Sequence, residues 1–376
     1  MKGDTGSSFR LSPAAIRAGA AVFAAASLAG LLALFLISRD LSGSLAGFRR
    51  FSLAWLPVCL GLVVAEWAGA GLRLWLLLRP IGLRIRYPAC VRIAAASTAM
   101  AYITPSGTGG GPAQLYGVLR SGASLGRAVA ANFATLIVNL LFLSAAGISA
   151  WALGAASEIE TIRLPVADIS AARLFEYAAL GFGSVAAVVL LIAASPRLPR
   201  LVIVRAFGRG PRVRSALKFL HELHGSIRIY GARGKTTLVL AVLVDAIPFG
   251  ARFLMGWAVL RGFGIDAGFW NVVILHVLLH FLIYFMPTPG GAGVAEVLAA
   301  ALMSPFLPSS LLVAYTAAWR FFLAWVTIGA GGAVVFGWLR ADARRALARV
   351  AGADAGAADG GGGGGAEGGT GGRSPG

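Results

Sequence analysis

Uncharged apolar runs of about 20 residues recur along this chain of 376 residues, and a run of that length can cross a bilayer as an α-helix. Only 13% of the residues are charged and 58% are hydrophobic, whereas a soluble domain carries about 25% charged residues. The pattern predicts an all-α integral membrane protein. Its candidate membrane segments are 17–37, 52–78, 93–120, 127–152, 173–195, 236–261, 268–304 and 309–339.

The net charge of +18 is spread over short segments between the apolar runs. Arginines follow the second run, fill the loop 196–235 and follow the last run. Because Lys and Arg accumulate in cytoplasmic loops, we expect these regions to be cytoplasmic, as are the tails 1–16 and 341–376 on either side of a membrane domain 17–340. The C-terminal tail ends in a glycine-rich sequence typical of disorder. The dispersed charge argues against a nucleic-acid partner and favours the cell membrane as the location.

Three apolar runs separate each pair of consecutive basic regions, although three full crossings would place those regions on opposite sides. Clustered proline and glycine interrupt one run in each half: TPSGTGGGPAQ (104–114) in the first half (about 17–152) and PTPGGAGVAE (287–296) in the second (about 173–340). Irregular backbone at membrane depth is tolerated only where protein or a wet cavity satisfies its polar groups. We therefore expect six transmembrane helices and two re-entrant helical hairpins, the first entering from the cytoplasm and the second from outside.

The two halves carry matching charges. An acid and an arginine seven residues apart precede each interrupted run: Glu66 with Arg73, and Asp245 with Arg252. Each half then has an odd number of crossings, which inverts the second half relative to the first. Inverted repeats with broken helices recur in transporters, and the breaks mark the binding site. The sequence therefore predicts an inverted repeat with a site between the two breaks.

At these residues the chain resembles the flippase-like transmembrane domain of lysylphosphatidylglycerol synthases and its stand-alone relatives. The matching stretches are TPSGTGGGPAQLYGVLRSG (104–122) and PTPGGAGVAE, and the likeness covers most of 15–340. The resemblance implies that the chain moves a lipid between leaflets; in the bifunctional synthases that lipid is aminoacylated phosphatidylglycerol. Those synthases carry an aminoacyltransferase domain after the membrane region, where this chain has a glycine tail, so we expect no lysyl transfer.

The interrupted runs supply the candidate substrate site. Half-helices predicted to begin near Ala113 and Val294 would point unpaired backbone N–H groups into the membrane, and helix N-termini bind anions. The glycines before them would let a phosphate approach the backbone; alternatively, they only permit tight helix packing. A capping role is expected for the acid that follows the second break. The candidate substrate-binding residues are Arg73, Arg252, Pro105, Gly107, Gly109, Gly110, Gln114, Pro289, Gly290, Gly291, Gly293 and Glu296.

The buried charges need partners. A spacing of seven places an acid and its arginine about 10 Å apart along one helix face at 1.5 Å per residue, so we expect each acid to pair with another helix and each arginine with hairpin carbonyls or lipid phosphate. The alternative is a purely structural network that includes Glu66, Asp245 and Arg320. Arg320 is a candidate partner of Glu296 or Asp245. Two polar residues are candidates to line a path or to bond across helices, namely Tyr102 and Asn139.

Sites of other kinds are not expected. His276 and His280 share a helix face, but no HExxH acid or third ligand accompanies them, so we expect a packed pair and no metal. GARGKT (231–236) lacks the first glycine of a phosphate loop, and no cofactor is expected. The sequence contains no nucleophile–base constellation, which argues against an enzyme.

The resemblance, together with these features, predicts a lipid translocase that moves an anionic or aminoacylated phospholipid, or a related lipid-linked headgroup, and binds the headgroup through arginine and helix N-termini. The expected partners are therefore membrane lipids. The alternative function is a non-transporting membrane partner or scaffold of a separate lipid- or glycan-modifying enzyme.

Overall fold

The computed structural model describes residues 12–38, 41–152, 234–284 and 286–360, together with scattered positions between 177 and 232. The helices between these limits are α1 (Pro13–Ser38), α2 (Leu41–Phe48), α3 (Leu56–Leu78), α4 (Tyr87–Tyr102), α5 (Gly110–Arg120), α6 (Leu125–Ala152), α7 (Lys235–Val244), α8 (Ala246–Gly262), α9 (Phe269–Tyr284), α10 (Val294–Met303), α11 (Ser309–Arg320) and α12 (Val326–Gly360). A 3₁₀ turn over Leu53–Trp55 leads into α3, and a π-helical turn over Phe321–Trp325 joins α11 to α12.

Several helical segments of the described residues are long and apolar enough to cross a membrane: Pro13–Ile37, Leu53–Leu78, Leu125–Ser149, Lys235–Gly262 and Ser309–Ala348. Each coincides with a predicted run, which confirms an all-α membrane protein. The remaining predicted transmembrane helix, 173–195, falls largely on residues outside the described part. The sidedness of the loops stays a prediction.

The two interrupted runs each fold as a pair of short helices joined by an irregular break. α4 ends at Tyr102 and α5 begins at Gly110, while α9 ends at Tyr284 and α10 begins at Val294. α4 packs on α5, and α9 packs on α10. The longest of these helices, with 16 residues, measures about 24 Å at 1.5 Å per residue, less than a hydrocarbon core of roughly 30 Å. The first half-helix begins at Gly110 rather than near the predicted Ala113. Entry from opposite membrane faces stays a prediction.

Proline and left-handed backbone produce the breaks. Pro105 and Pro289 lack the N–H group that a continuing helix would need. Gly107 and Gly290 follow with φ of +68° and +51°, in the left-handed region that glycine adopts without steric cost. Ser106 takes the same region with φ of +50° although it has a side chain, an arrangement that costs energy and concentrates at functional sites.

α3 is central to the packing because it contacts both α8 and α4. Its glycines permit close approach on both sides: a Cβ at Gly69 would lie 2.7 Å from Pro248 Cδ and 2.8 Å from Ile247 Cβ, and one at Gly71 would lie 2.7 Å from Val91 Cα. Small residues play this part where helices meet in membranes. The seam between α3 and α8 therefore joins the two halves.

The chain divides into two compact units, 1–334 and 335–376. All the residues of the site below belong to the first unit. In the second, α12 continues as a helix to Gly360, where the sequence predicted a disordered tail from 341. Ala and Arg, both strong helix formers, fill most of 341–350. Residues 361–376 lie outside the described part.

Candidate functional site

The two helix breaks meet each other. Pro105 and Pro289 form an isolated antiparallel β-bridge, and the Ser106 hydroxyl donates a hydrogen bond of 3.2 Å to the Met286 carbonyl. Irregular backbone exposes polar groups that a helix would satisfy, and here each break supplies partners for the other. The sequence predicted opposed breaks on one site, and the structure brings their backbones into direct contact.

Two ion pairs cross between the halves. Arg73 Nη1 of α3 lies 2.6 Å from Asp245 Oδ1, which ends α7 and begins α8. Arg252 Nη2 of α8 lies 2.8 Å from Glu66 Oε1 of α3. Residue numbers rise along one partner helix as they fall along the other, so α3 and α8 run antiparallel. Each acid therefore pairs with the arginine of the opposite half, as expected for the acids, while the arginines take carboxylates where lipid phosphate or hairpin carbonyls were considered.

The two crossed pairs differ in how many of their polar atoms have hydrogen-bond partners. Arg252 donates from Nε to Glu66 Oε1 at 2.8 Å and from Nη1 to the Tyr284 hydroxyl at 3.2 Å. Arg73 instead uses Nη1 for both Asp245 and the Asn139 side-chain oxygen. Its Nε and Asp245 Oδ2 are buried without hydrogen-bond partners among the described residues. The Arg73–Asp245 pair thus keeps an unused donor and an unused acceptor.

A third ion pair holds the second break. Arg320 Nε lies 2.8 Å from Glu296 Oε1, and both side chains are almost fully buried. The Ser27 hydroxyl of α1 also donates to this carboxylate, whose Oε2 accepts the Gly293 N–H at 2.8 Å. Arg320 Nη2 donates to the Gly290 carbonyl at 2.7 Å. Glu296 therefore caps α10 as predicted, and Arg320 pairs with it rather than with Asp245.

The first break is held by neutral groups. The Ser97 hydroxyl donates to the Gly110 carbonyl at 2.8 Å, and the Gly109 N–H donates to the Thr104 hydroxyl at 2.8 Å. Gln114 is the fifth residue of α5, whereas Glu296 is the third of α10, and Gln114 donates to the Thr135 hydroxyl at 3.0 Å. The two breaks therefore differ in charge, and they differ in backbone at the residue before the second helix, where Gly109 has φ of −76° and Gly293 has φ of +85°.

A cavity of about 450 Å³ opens where these groups converge. All three arginines line it, together with glycines from both breaks. The predicted residues that line it are Arg73, Tyr102, Gly107, Gly110, Gln114, Asn139, Arg252, Gly290, Gly291 and Arg320. The predicted Pro105, Gly109, Pro289, Gly293 and Glu296 lie outside this lining set. They shape and anchor the breaks.

Tight packing explains some of the glycines, while another lines the cavity. Gly109 packs against Thr104, where a Cβ would lie 2.6 Å from the Thr104 Cγ2, and Gly293 packs against Gly30, whose added Cβ would lie 2.8 Å from the Gly293 carbonyl oxygen. Gly107 lines the cavity and has only Ala101 near its Cβ position, at 3.8 Å. Tight packing thus accounts for the first two, and approach of a ligand remains open at the third.

Sequence reasoning missed two side chains at the site. Ser27 is an isolated polar residue within an apolar run, and that isolation was the available signal. His280 lines the cavity, and its Nδ1 hydrogen bonds to the His276 carbonyl at 2.7 Å. The pair is packed, as expected, with His276 Nε2 lying 2.7 Å from the Tyr315 hydroxyl. Within the described ranges no group of three or more His, Cys, Asp or Glu could hold a metal ion.

The fold and the cavity define a multi-pass α-helical membrane protein with a charged cavity at the junction of two broken helices. The chain belongs to the lysylphosphatidylglycerol synthase TM region family, which matches residues 18–331, and this confirms the resemblance carried by the two glycine-rich motifs. A UPF0104 membrane protein from Archaeoglobus fulgidus is 26% identical over 286 residues, which cover 72% of this chain and 83% of that relative. The family match spans both halves and both breaks.

Proposed function

We propose that this protein translocates a phospholipid, or a related lipid-linked headgroup, between the leaflets of the cell membrane. The observation that carries the proposal is the meeting of the two breaks at one arginine-lined cavity. Broken helices that meet between inverted repeats are where transporters bind their substrates. A cavity of about 450 Å³ also falls in the range of roughly 300–1,000 Å³ usual for small-molecule sites.

The cavity is best suited to the phosphate of a lipid headgroup. Guanidinium groups bind phosphate through paired N–H donors, and Arg73 keeps its Nε without a partner among the described residues. The first turn of α5 begins at the cavity with Gly110, where the helix dipole also favours an anion. The acyl chains would stay in lipid while the headgroup crosses through the cavity.

The relation between the halves supports alternating access. The two crossed ion pairs lie along one antiparallel seam between α3 and α8, so they tie one half to the other. Rocking of one repeat against the other around a fixed site is how related architectures expose it to each side. The same seam would serve as the pivot here.

Leaflet exchange in vesicles tests the proposal. The full chain is reconstituted in phosphatidylcholine vesicles with a trace of phosphatidylglycerol labelled on an acyl chain, and outer-leaflet label is quenched with dithionite. Wild-type protein should move labelled lipid from the inner leaflet to the outer leaflet, so that the external quencher removes the fluorescence of both. Arg73→Ala and Arg252→Ala should slow exchange by roughly tenfold or more, since a hydrogen bond to a charged group contributes about 1.5–3 kcal/mol and 1.4 kcal/mol is about tenfold.

Arg261→Ala is the matched control, because Arg261 lies on the same helix as Arg252 but pairs with the exposed Asp266 away from the cavity lining. Unchanged exchange in both cavity variants, with protein folded, would remove the arginines from the mechanism. Absence of exchange in wild-type protein would leave the scaffold as the better account.

Accessibility labelling separates transport from a scaffold role directly. Single cysteines are placed in the two breaks at Thr108, which is exposed, and at Thr288, which lines the cavity, after Cys59 and Cys90, both buried, are replaced by serine. A transporter should react at these positions with membrane-impermeant reagents from each side of the membrane. Reaction from one side only would favour the scaffold.

A further inference from the structure

The charges around the cavity balance. The charged residues that line it in the described part of the chain are Arg73, Arg252 and Arg320. Each is paired with one buried carboxylate, those of Asp245, Glu66 and Glu296 in the same order. A site with equal numbers of arginines and carboxylates has no net charge with which to hold an anion. Binding of a monoanionic headgroup therefore leaves one negative charge in excess unless a proton accompanies it.

The carboxylate with the fewest contacts is that of Asp245. Glu296 accepts from Ser27, from the Gly293 N–H and from Arg320. Asp245 has Arg73 Nη1 on Oδ1, while its Oδ2 has no partner among the described residues.

Glu66 differs from Asp245 in the same respect. It lies 2.8 Å from both Nε and Nη2 of Arg252, so it is held by two donors of one guanidinium. Because Arg252 also donates to Tyr284, all three of its nitrogens have partners. The Arg252–Glu66 pair therefore has less capacity for an added anion than the Arg73–Asp245 pair.

The free atoms of the Arg73–Asp245 pair suit a phosphate and a proton. Nη1 of Arg73 is engaged by Asp245 and Asn139, whereas its Nε is buried beside the cavity with no partner among the described residues and would donate to a phosphate oxygen that enters there. The guanidinium would then lie between two anions, and Asp245 is fully buried. One buried cation does not neutralise two anions, and an uncompensated buried charge is strongly unfavourable. Two anions that share a site in this way do not both stay ionised.

We propose that Asp245 takes up one proton from solvent when a monoanionic headgroup binds at Arg73, so that this protein carries a proton with its lipid. The inference rests on the proposed function, because it concerns the same cavity and headgroup. The charge is conserved: the phosphate adds one negative charge, and the proton on Oδ2 removes that of Asp245. The Nη1 contact to Oδ1 persists, since the carbonyl oxygen of the neutral acid still accepts.

The other charged and titratable groups near Asp245 have contacts of their own. On α3, Arg73 pairs with Asp245, and Glu66 pairs with Arg252 of the helix that Asp245 begins, while the neutral Asn139 of α6 accepts from Arg73. His280 of α9 also lines the cavity, with Nδ1 at the His276 carbonyl. Since a carbonyl only accepts, Nδ1 of His280 carries a hydrogen in its neutral form. Glu66 is the other carboxylate of this group, and it is held by two nitrogens of Arg252.

Calorimetry of headgroup binding tests the proposal. The full chain in phosphatidylcholine nanodiscs is titrated with the soluble, monoanionic dihexanoyl phosphatidylglycerol in two buffers of different ionisation enthalpy, and empty nanodiscs give the blank. The difference between buffers should correspond to uptake of about one proton per headgroup by wild-type protein. Asp245→Asn, which resembles the protonated acid, should bind with no proton uptake. The matched variant Asp266→Asn, at an exposed carboxylate outside the cavity lining, leaves the charge of the cavity unchanged and should still take up about one proton.

The outcomes separate this inference from the proposed function. Failure of wild-type protein to bind the probe would overturn the anionic-lipid site itself and the proton with it. Binding without proton uptake, or uptake that persists in Asp245→Asn, would overturn the role of Asp245 and leave the lipid site intact. Uptake that is lost equally in Asp266→Asn would also overturn the assignment to Asp245.

A second measurement uses wild-type protein alone, in case Asp245→Asn does not fold. Affinity for the same probe should rise by about tenfold for each pH unit lowered while Asp245 is ionised in the free protein, because one proton is bound with each headgroup. The phosphodiester of the probe does not titrate over that range, so it contributes no slope. An affinity that does not change with pH would overturn the proposal.

Discussion

Arg73 and Asp245 are 172 residues apart in the chain and 2.6 Å apart in space, and Arg252 and Glu66 form a second pair between the same two helices. Exchanging each residue for its equivalent in the other half turns one pair into the other. The crossed pairs are the contacts that an inverted repeat with this spacing of acid and arginine would produce, and the repeat itself stays a prediction.

Removal of one partner from a crossed pair should destabilise the fold strongly. Asp245→Ala leaves Arg73 as a buried, unpaired cation, and such a change costs about 3–5 kcal/mol. The double variant Arg73→Leu with Asp245→Leu should recover most of that loss, because it removes both charges from the apolar seam. Unfolding of the purified protein in detergent, followed by tryptophan fluorescence, measures both. A double variant no more stable than Asp245→Ala would contradict the pairing.

The seam between α3 and α8 should not tolerate an added methyl group. Gly69→Ala places a Cβ 2.7 Å from Pro248 and 2.8 Å from Ile247, so the helices must separate. Overpacking of this kind costs about 1–3 kcal/mol. Gly61→Ala on the same helix is the control, since nothing lies within 4 Å of its Cβ position. The melting temperature should fall for Gly69→Ala and not for Gly61→Ala, and equal shifts would show that the seam is loosely packed.

The contact between the two breaks should depend on Gly290. Gly290→Ala forces a side chain into a backbone with φ of +51° and places its Cβ 2.8 Å from the Tyr102 carbonyl oxygen. The strain alone costs about 1–2 kcal/mol, and the clash pushes the breaks apart. Gly264→Ala has similar strain, with φ of +76°, but open space around its Cβ. Vesicle leaflet exchange should therefore be lost in Gly290→Ala and retained in Gly264→Ala.

The second break should be the more sensitive of the two to loss of a carboxylate. Glu296→Gln leaves Arg320 buried without its counter-charge, at a cost of about 3–5 kcal/mol. Gln114→Met in the first hairpin removes one neutral hydrogen bond to Thr135, at about 0.5–1.5 kcal/mol. Chemical unfolding of the two variants compares them. Equal losses would mean that the charged cluster does not anchor α10.

Much of the architecture could be predicted because burial in a membrane produces patterns that are visible along the sequence alone. Apolar length located the helices, and clustered proline and glycine located the breaks. The family resemblance rested on the same breaks. The second half-helix begins at the predicted Val294. The end of α12 was missed because charge and glycine suggested a tail from 341, whereas the alanines there favour a helix that continues to Gly360.

The partners of the buried charges could not be predicted in the same way. Spacing along a helix tells which residues share a face, but not which helix lies against that face. Glu66 and Asp245 were therefore assigned only to unnamed partners on other helices. Arg320 had two candidates, and packing rather than spacing decided for Glu296. Ser27 was missed because its role depends on where α1 lies, and nothing local to α1 records that.

The crossed ion pairs also resemble the reciprocal contacts of a dimer interface, although both sides belong to one polypeptide. Two identical copies of one half, set antiparallel, would form both pairs by symmetry, as in an isologous dimer where residue i meets j and j meets i. Within one chain, neither half neutralises its own arginine on α3 or α8: Arg73 depends on Asp245, and Arg252 depends on Glu66. Each half thus supplies the counter-charge for the other half's arginine. A half expressed alone would therefore carry an unpaired acid and an unpaired arginine into the membrane.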